Sequence, residues 1–407
     1  MIYLDNAATT EMHPRVKRLA QVFDGMYGNA GTLYWEGERA RQVIEDARER
    51  IARHLGIEKE QAKSCVFFTS GATEGNNWCI KGAMNAWWQK QYTLINSAGE
   101  DSVIPVEELC RKPHIVTDLG EHHSVLNVVK AMVERGSCRA DILPLDRKTG
   151  AVDAERVLAA LTEDTVVVSV MMVNNETGAR NPVEEIGEGI WKYNQEHGRH
   201  VLFHVDATQA VGKMEVYVPK IKCHMLTASG HKFHAGKGRG FVYIDPYADV
   251  LNLMEGGGQQ MGRRPGTEDT TGAGCLAEAL DIQWDTCKTG SIGFKTTKAI
   301  VMLAQIDGAH FNGETNPRSG IISVWFDGVY NEALLALLEK RGVICSAGSA
   351  CTTGESEPSH VLMAMGAEEG ALYRTIRISI GSMNMMDEID DAVREVEKCV
   401  KFLRDEE

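Results

Sequence analysis

The sequence predicts an α/β fold: a large unit with a mostly parallel sheet covered by helices, and a smaller C-terminal α/β unit. Three observations predict it. Short β-rich apolar runs alternate with longer helical stretches, the pattern left by parallel strands joined through crossover helices. The 407 residues are enough for more than one domain of ordinary size. After about residue 255 the pattern changes to a glycine-rich segment, EGGGQQMGRRPGTEDTTG, followed by a second group of short strands.

In chain order, GERARQVIEDARERIARHLG reads as a helix, and SCVFFTS and HIVTD as strands. TVVVSVMMV is the next strand, NPVEEIGEGIWKYNQEHG a helix, and RHVLFHVDA, HMLTA and GFVYI are further strands. SGIISVWF, GVICSAG and YRTIRISIG supply the strands of the small unit. In the last segment Ile389, Val393, Val396, Val400 and Leu403 recur at steps of three or four, which predicts an amphipathic helix packing one face inward. The expected division is a large unit over 12–255 and a small unit made of 1–11 and 256–407. Residues 87–112, WWQKQYTLINSAGEDSVIPVEELCRK, read as an elaborated loop, with a surface lid or a partner-binding patch as alternatives.

Composition excludes several functions. A net charge of −14 argues against a general nucleic-acid binder, because counterion release needs a basic surface. No apolar run approaches the length of a membrane span, and MIYLDNAATTEMHP has neither the basic nor the apolar region of a signal peptide. The ten cysteines form no CxxC pair and no zinc-like spacing, so a reducing cytoplasm and no metal are expected.

One lysine stands out. In ASGHKFHAGKGRG, Lys232 follows a strand at the start of a glycine-rich turn. Several strand ends carry groups that complement a catalytic amine. Asp206 ends RHVLFHVDA, at the sheet edge where ligands of such folds bind; alone it could equally be a helix cap. FFTSGATEGNN presents hydroxyls and free backbone N–H groups at a helix start, with Ala72 and Thr73 as contacts for a phosphate. Ser229 and His231 flank Lys232 and could complete that cup. His122, in GEHHSVLN, could stack on a ring, with His123 the weaker candidate of the pair. A Schiff-base lysine, an acid for a ring nitrogen, a phosphate cup and a stacking group together point to pyridoxal 5'-phosphate.

The chain resembles the IscS/NifS-type cysteine desulfurases, pyridoxal-phosphate enzymes of fold type I in the class-V aminotransferase family. The likeness runs over nearly the whole length, through YLDNAATT, TSGATEGNN, EHHSVLN, VNNETG, HVDATQA, SGHKFHAGKG, GGGQQMGRRPGTED, CSAGSACTTGESEPSHVL and IRISIG. It implies that Lys232 binds the cofactor covalently and moves the Cα proton of L-cysteine. Asp206 would pair with the ring nitrogen, Gln209 with the phenolic oxygen, and His122 would stack and assist proton transfer. Thr73, Ser229 and His231 would hold the phosphate, and Thr267 would reach the phosphate of the neighbouring subunit in a homodimer. Asn175 and Arg377 would hold the substrate carboxylate, for which a planar guanidinium is suited.

The resemblance also implies that Cys351, in a loop of small residues, accepts the sulfur as a persulfide and hands it to an acceptor protein for iron–sulfur cluster, thio-cofactor or tRNA synthesis. The loop length is that of the branch that serves scaffolds directly. Cys345, after the apolar GVI, fits an inert buried thiol. The chain departs from the family in GNAGTLYWEG, where Tyr34 stands at an altered position, in the proline of RRPGTED, in residues 87–112, and in ending soon after its last helix. Lys232 and Asp206 also suit a selenocysteine lyase or another fold-type-I lyase or aminotransferase, and the fold alone would suit a non-catalytic scaffold of the sulfur pathway. The loop cysteine separates these from a desulfurase.

Overall fold

The computed structural model describes residues 1–97, 111–347 and 358–405. Twelve strands are described: β1 (Ile2–Tyr3), β2 (Val66–Thr69), β3 (His114–Asp118), β4 (Arg139–Leu143), β5 (Thr165–Ser169), β6 (Leu202–Asp206), β7 (Met225–Ser229), β8 (Gly240–Ile244), β9 (Ala309–Phe311), β10 (Ile321–Phe326), β11 (Val343–Ile344) and β12 (Ile376–Ser379). The large sheet has the order β2-β8-β7-β6-β5-β3-β4. Only β8 runs against the others.

Strands β3, β5, β6, β7 and β8 are buried throughout because both sheet faces are covered. Ile115, Val167, Leu202 and Met225 pack with Trp78 of the helix Ala72–Ser97 and with Val125 and Val129 of the helix His123–Glu134. Residues of opposite parity, among them Val116, Val168, Phe203, Val205 and Leu226, pack with Ile186 and Ile190 of the helix Val183–His197. Complete burial of a side chain such as Phe203 contributes about 1.5–3 kcal/mol.

After β4 the chain crosses back to place β5 on the other side of β3. This reversal opens a crevice at the carboxyl ends of the parallel strands. The segments after β3, β5, β6 and β7 hold His122, Asn175, Gln209 and Lys232.

The small unit is an antiparallel sheet, β12-β10-β9, with the helix Met386–Asp405 packed on it through Ile389, Val393, Val396 and Val400. Strand β1 pairs in parallel with β11, so the N-terminus belongs to this unit. From there it crosses to the large unit.

Some expectations meet a different structure. Residues 87–97 continue the helix Ala72–Ser97, in which Trp87 and Trp88 pack edge to face; residues 98–110 lie outside the described residues. The helix Thr270–Thr289 lies beyond residue 255, yet Cys275, Leu276, Ala279 and Leu280 join the core of the large unit. Strand β4 was not anticipated, because its edge position leaves RADIL half-exposed and without a buried apolar run. No helix among the described residues is long and apolar enough to cross a membrane.

Candidate active site

Strand β7 ends at Ser229, and a single 3-10 turn, Gly230–Lys232, follows it. The turn aims the Lys232 side chain at the N-terminal crossing segment. Its Nζ donates to the carbonyls of Ala7 and Ala8 at 2.6 and 2.7 Å. Burial is the main cause that lowers the Lys232 pKa to about 8, and the Arg377 cation adds to it. Asp5 and Asp206 act in the opposite sense. An amine with this pKa has a far larger neutral fraction near physiological pH than a free lysine, as a nucleophile requires.

Asp206 ends the neighbouring strand β6 and is 5% exposed. One carboxylate oxygen accepts from the Thr208 backbone N–H at 2.9 Å, and the other from Asn76 Nδ2 at 2.7 Å. The turn-capping alternative is thus half realised, and one oxygen is turned to the helix Ala72–Ser97. Asn76 is fully buried; it also donates to Ser124 Oγ at 2.8 Å and accepts from Thr227 Oγ1. Beside Asp206, Thr208 Oγ1 is a buried hydroxyl without a hydrogen-bond partner among the described residues.

His122 caps the helix His123–Glu134: its Nδ1 accepts from the Ser124 backbone N–H at 3.1 Å. Nδ1 is therefore the unprotonated nitrogen, and the Ser124 hydroxyl, 2.8 Å away, donates to it as well. The ring is exposed on its open side but surrounded by protein elsewhere, and desolvation leads the causes that lower its pKa. It is neutral at pH 7. His123 points elsewhere, stacking on His360 with centroids 4.6 Å apart.

The segment expected to hold an anion is a turn at a helix start. The turn Ser70–Gly71 leads into the helix that begins at Ala72, with Thr73 exposed in its first turn. Glu74 Oε2 accepts from Ser70 N at 2.8 Å, and Arg264 pairs with Glu74 at 2.9 Å. Ser229 Oγ lies 3.4 Å from where a Cβ on Gly71 would sit, so a side chain there would narrow the space between Ser229 and the helix start. His231 Nδ1 is 3.2 Å from Thr9 Oγ1, and burial together with Lys232 lowers its pKa to about 4. Helix N–H groups, two hydroxyls and a neutral imidazole can hold a phosphate.

Arg377 lies on β12 and is 4% exposed. Its guanidinium donates to Asp5 Oδ1 and to the Asn175 backbone carbonyl, each at 2.8 Å. The β10–β12 sheet of the small unit thereby meets the carboxyl end of the large sheet. Gln209 donates to the Ala7 carbonyl at 2.9 Å and accepts from Lys213 at 2.7 Å. Thr267 is exposed in the loop before the helix Thr270–Thr289. Cys351 lies outside the described residues. Cys345 is half-buried, and burial pushes its thiol up to about 12, as suits an inert cysteine.

The structure therefore gathers Lys232, Asp206, His122 and Gln209 with the Ala72–Thr73, Ser229–His231 and Asn175–Arg377 groups at one sheet edge. It also adds residues the sequence did not single out. Asn76 had a signal, as an uncharged polar side chain one turn into a helix start beside an apolar face. Asp5 and the Ala7 and Ala8 carbonyls had none, because their partners are hundreds of positions away.

The Aminotransferase class-V family matches residues 2–113 and 107–391 of the chain. Cysteine desulfurase IscS of Methanosarcina thermophila is 33% identical over 407 residues, covering 99% of this chain and 93% of that protein. A solved NifS-like protein superposes with a TM-score of 0.84 at 31% identity, over 98% of this chain and 99% of the other. SspA in complex with cysteine superposes with a TM-score of 0.76 at 28% identity, over 95% of this chain and 100% of the other. With its mostly parallel sheet, its lysine-bearing turn and full-length likeness to these proteins, the chain belongs to the class-V aminotransferase family and, within it, to the IscS/NifS-type cysteine desulfurases.

Proposed function

We propose that this cysteine desulfurase works with pyridoxal 5'-phosphate, converts L-cysteine to L-alanine and takes the sulfur onto Cys351. The observation that carries this is the pairing of a half-buried Lys232 amine of lowered pKa with an Asp206 carboxylate fixed by Asn76 and the Thr208 N–H. The donor set fits the cofactor: an amine for its aldehyde, a carboxylate for its ring nitrogen, the Gln209 amide for its phenolic oxygen, and a helix start with Thr73, Ser229 and His231 for its phosphate. When bound, the cofactor supplies a ring that withdraws negative charge from the substrate's Cα.

The chain's own groups do the rest. Arg377, with Asn175, holds the substrate carboxylate through parallel donors. Lys232 Nζ takes the Cα proton, and His122, neutral and with its free proton on Nε2, exchanges protons with the substrate. The Cys351 sulfur bonds to the substrate sulfur as the Cβ–S bond breaks, and the electron pair stays with the three-carbon fragment, which is protonated to alanine. The balance is L-cysteine plus the Cys351 thiol giving L-alanine plus a persulfide on Cys351, with no external oxidant.

Two anchors support this role for Cys351. Upstream of it, Ser346 pairs with Arg377 through the backbone. Downstream, the Ser359 hydroxyl donates to Glu176, and His360 Nε2 contacts the Glu121 carbonyl at 3.1 Å, next to His122. Ser346 and Ser359, which flank Cys351 in the chain, are thus both fixed beside the groups proposed to hold the substrate. Thr267, exposed on its loop, contributes to the phosphate site of a second copy, making the enzyme a homodimer. The persulfide passes to an acceptor protein, in a cytoplasmic route to iron–sulfur clusters, thio-cofactors or modified tRNA.

The test is Cys351→Ser. It should bind the cofactor with the wild-type absorption band yet form almost no alanine from cysteine. Wild type incubated with cysteine should gain one sulfur atom on Cys351, removable by dithiothreitol. Sulfide release by Cys351→Ser at the wild-type rate, or pyruvate as the product, would replace desulfuration with β-elimination.

A further inference from the structure

A second buried amine lies beside the site. Lys213 follows Gln209 by four positions in TQAVGK, in the turns after β6, and is 8% exposed. Its Nζ donates to Gln209 Oε1 at 2.7 Å. The Gln209 amide nitrogen donates to the Ala7 carbonyl at 2.9 Å, and that carbonyl also accepts from Lys232 at 2.6 Å. A continuous chain therefore runs from the Lys213 amine through the Gln209 amide and the Ala7 carbonyl to the Lys232 amine.

The direction of this chain follows from what each group can donate. The two ends of a glutamine amide have the same shape, and only its partners decide which way it faces. An ammonium has no lone pair, so Lys213 when charged can meet only the amide oxygen. The amide NH2 is then left facing Ala7 and Lys232, with a second hydrogen still to give. Removing the Lys213 donor strands the Gln209 oxygen in a buried place, and turning the amide over sets a carbonyl against the Ala7 carbonyl.

Among the described residues Lys213 has no carboxylate hydrogen-bond partner, and the charges that act on it are the cations Lys232 and Arg377. On its far side it borders a cavity of about 480 Å³, lined also by Trp284, Cys287 and Arg318. A lysine kept in so costly a place without an ion pair calls for a role that an apolar residue would not fill.

We propose that Lys213 is a positioning residue that acts through Gln209, holding the amide NH2 toward the reaction centre and keeping the Ala7 carbonyl in register with Lys232. The role rests on the cofactor site described above, because Gln209 serves there as donor to the ring's phenolic oxygen.

The experiment is a double-mutant cycle on the holoenzyme, read by the pH midpoint of its visible absorption band and by the cofactor dissociation constant. Lys213→Met, similar in length and free to settle toward the cavity, should shift the midpoint in the same direction as Gln209→Met, and weaken cofactor binding about 3–10-fold, as loss of one hydrogen-bond partner does. The double variant should match Gln209→Met alone, since Lys213 acts only through that amide. Lys213→Gln, which keeps a donor, should stay near the wild-type midpoint; it also serves the cycle if Lys213→Met fails to fold. Independent, additive shifts from Lys213 and Gln209, an unshifted Lys213→Met, or a Lys213→Gln midpoint displaced like that of Gln209→Met would each overturn the role of Lys213 and leave the cofactor site standing. A wild-type protein that binds no cofactor overturns both.

Discussion

Arg377 meets its carboxylate partner before any substrate arrives. Asp5 holds one Nη and the Asn175 carbonyl the other, so the guanidinium plane is set in advance. In the proposed reaction a substrate carboxylate would be received by donors already in place, which lowers the ordering cost of binding. Lysine offers a point charge in place of a planar fork. Arg377→Lys should raise KM about 10–100-fold, the scale of one or two charge-assisted hydrogen bonds, while the cofactor's absorption band is kept. Lost colour with unchanged KM would make Arg377 a structural residue. Asn76 is the second decisive residue: Asp206, Ser124 and Thr227 all converge on its buried amide. Asn76→Ala should cost about 1–3 kcal/mol in urea unfolding, because it strands buried polar groups, and should weaken cofactor binding as well. A variant with wild-type stability and affinity would show the network to be dispensable.

Among the elements, close backbone approaches decide where the site can form. Strand β8 begins at Gly240, where an added Cβ would lie 2.6 Å from the Ala228 carbonyl and 2.7 Å from Gly71 Cα. The Ser70–Gly71 turn and the start of the helix Ala72–Ser97 rest against this point. Far from the site, Gly187 lets the helix Val183–His197 lie on the turn at Ile221, whose carbonyl would be 1.8 Å from an added Cβ. Both Gly240→Ala and Gly187→Ala should destabilise by about 1–3 kcal/mol through overpacking. Only Gly240→Ala should also weaken cofactor binding, because it displaces the anion cup. Equal cofactor affinities in the two variants, measured by equilibrium titration, would mean that the cup does not depend on the Gly71–Gly240 contact.

The whole molecule carries the buried Lys213 amine and the half-buried Lys232 amine close together, and this gives its apoprotein a particular response to pH. Burial lowers the Lys213 pKa to about 7 and that of Lys232 to about 8, from 10.5. Between those values and 10.5 the unfolded chain binds more protons than the folded one, so stability rises with pH. Oppositely acting groups also contribute. The Asp118 carboxyl, pushed up to about 7 by burial, and the Glu121 carboxyl, raised well above its ordinary value by burial, lower stability as pH rises. From about pH 8 the unfolded chain also ionises thiols such as Cys65, which burial holds up to about 12 in the fold, and this lowers stability as pH rises. Between pH 7.5 and 9 stability in urea unfolding should therefore rise less in Lys213→Met than in the wild type, by roughly 2 kcal/mol over that range. Parallel profiles in the two proteins would show that Lys213 keeps its charge in the fold.

Much of this protein was readable in the chain itself. Strands β3, β5, β6, β7 and β8 are short apolar runs, and the side chains at their carboxyl ends include Asp206, with Lys232 just beyond; a parallel sheet brings such ends to one edge whatever the loops do. The positions of the lysine, the aspartate and the proposed phosphate cup were legible because each is local to one strand–turn unit. What joins those units was not. Lys232 meets carbonyls 225 and 224 positions away, and Arg377 pairs with Asp5 across 372 positions. Lys213 reads in sequence as an ordinary turn lysine, and only the packing of the crossing N-terminal segment and the small unit buries it. The helix Thr270–Thr289 likewise has an apolar face that says nothing of which core it joins. Local periodicity records which residues point inward along one element; partners far apart in the chain leave no period, and only the folded backbone brings them together.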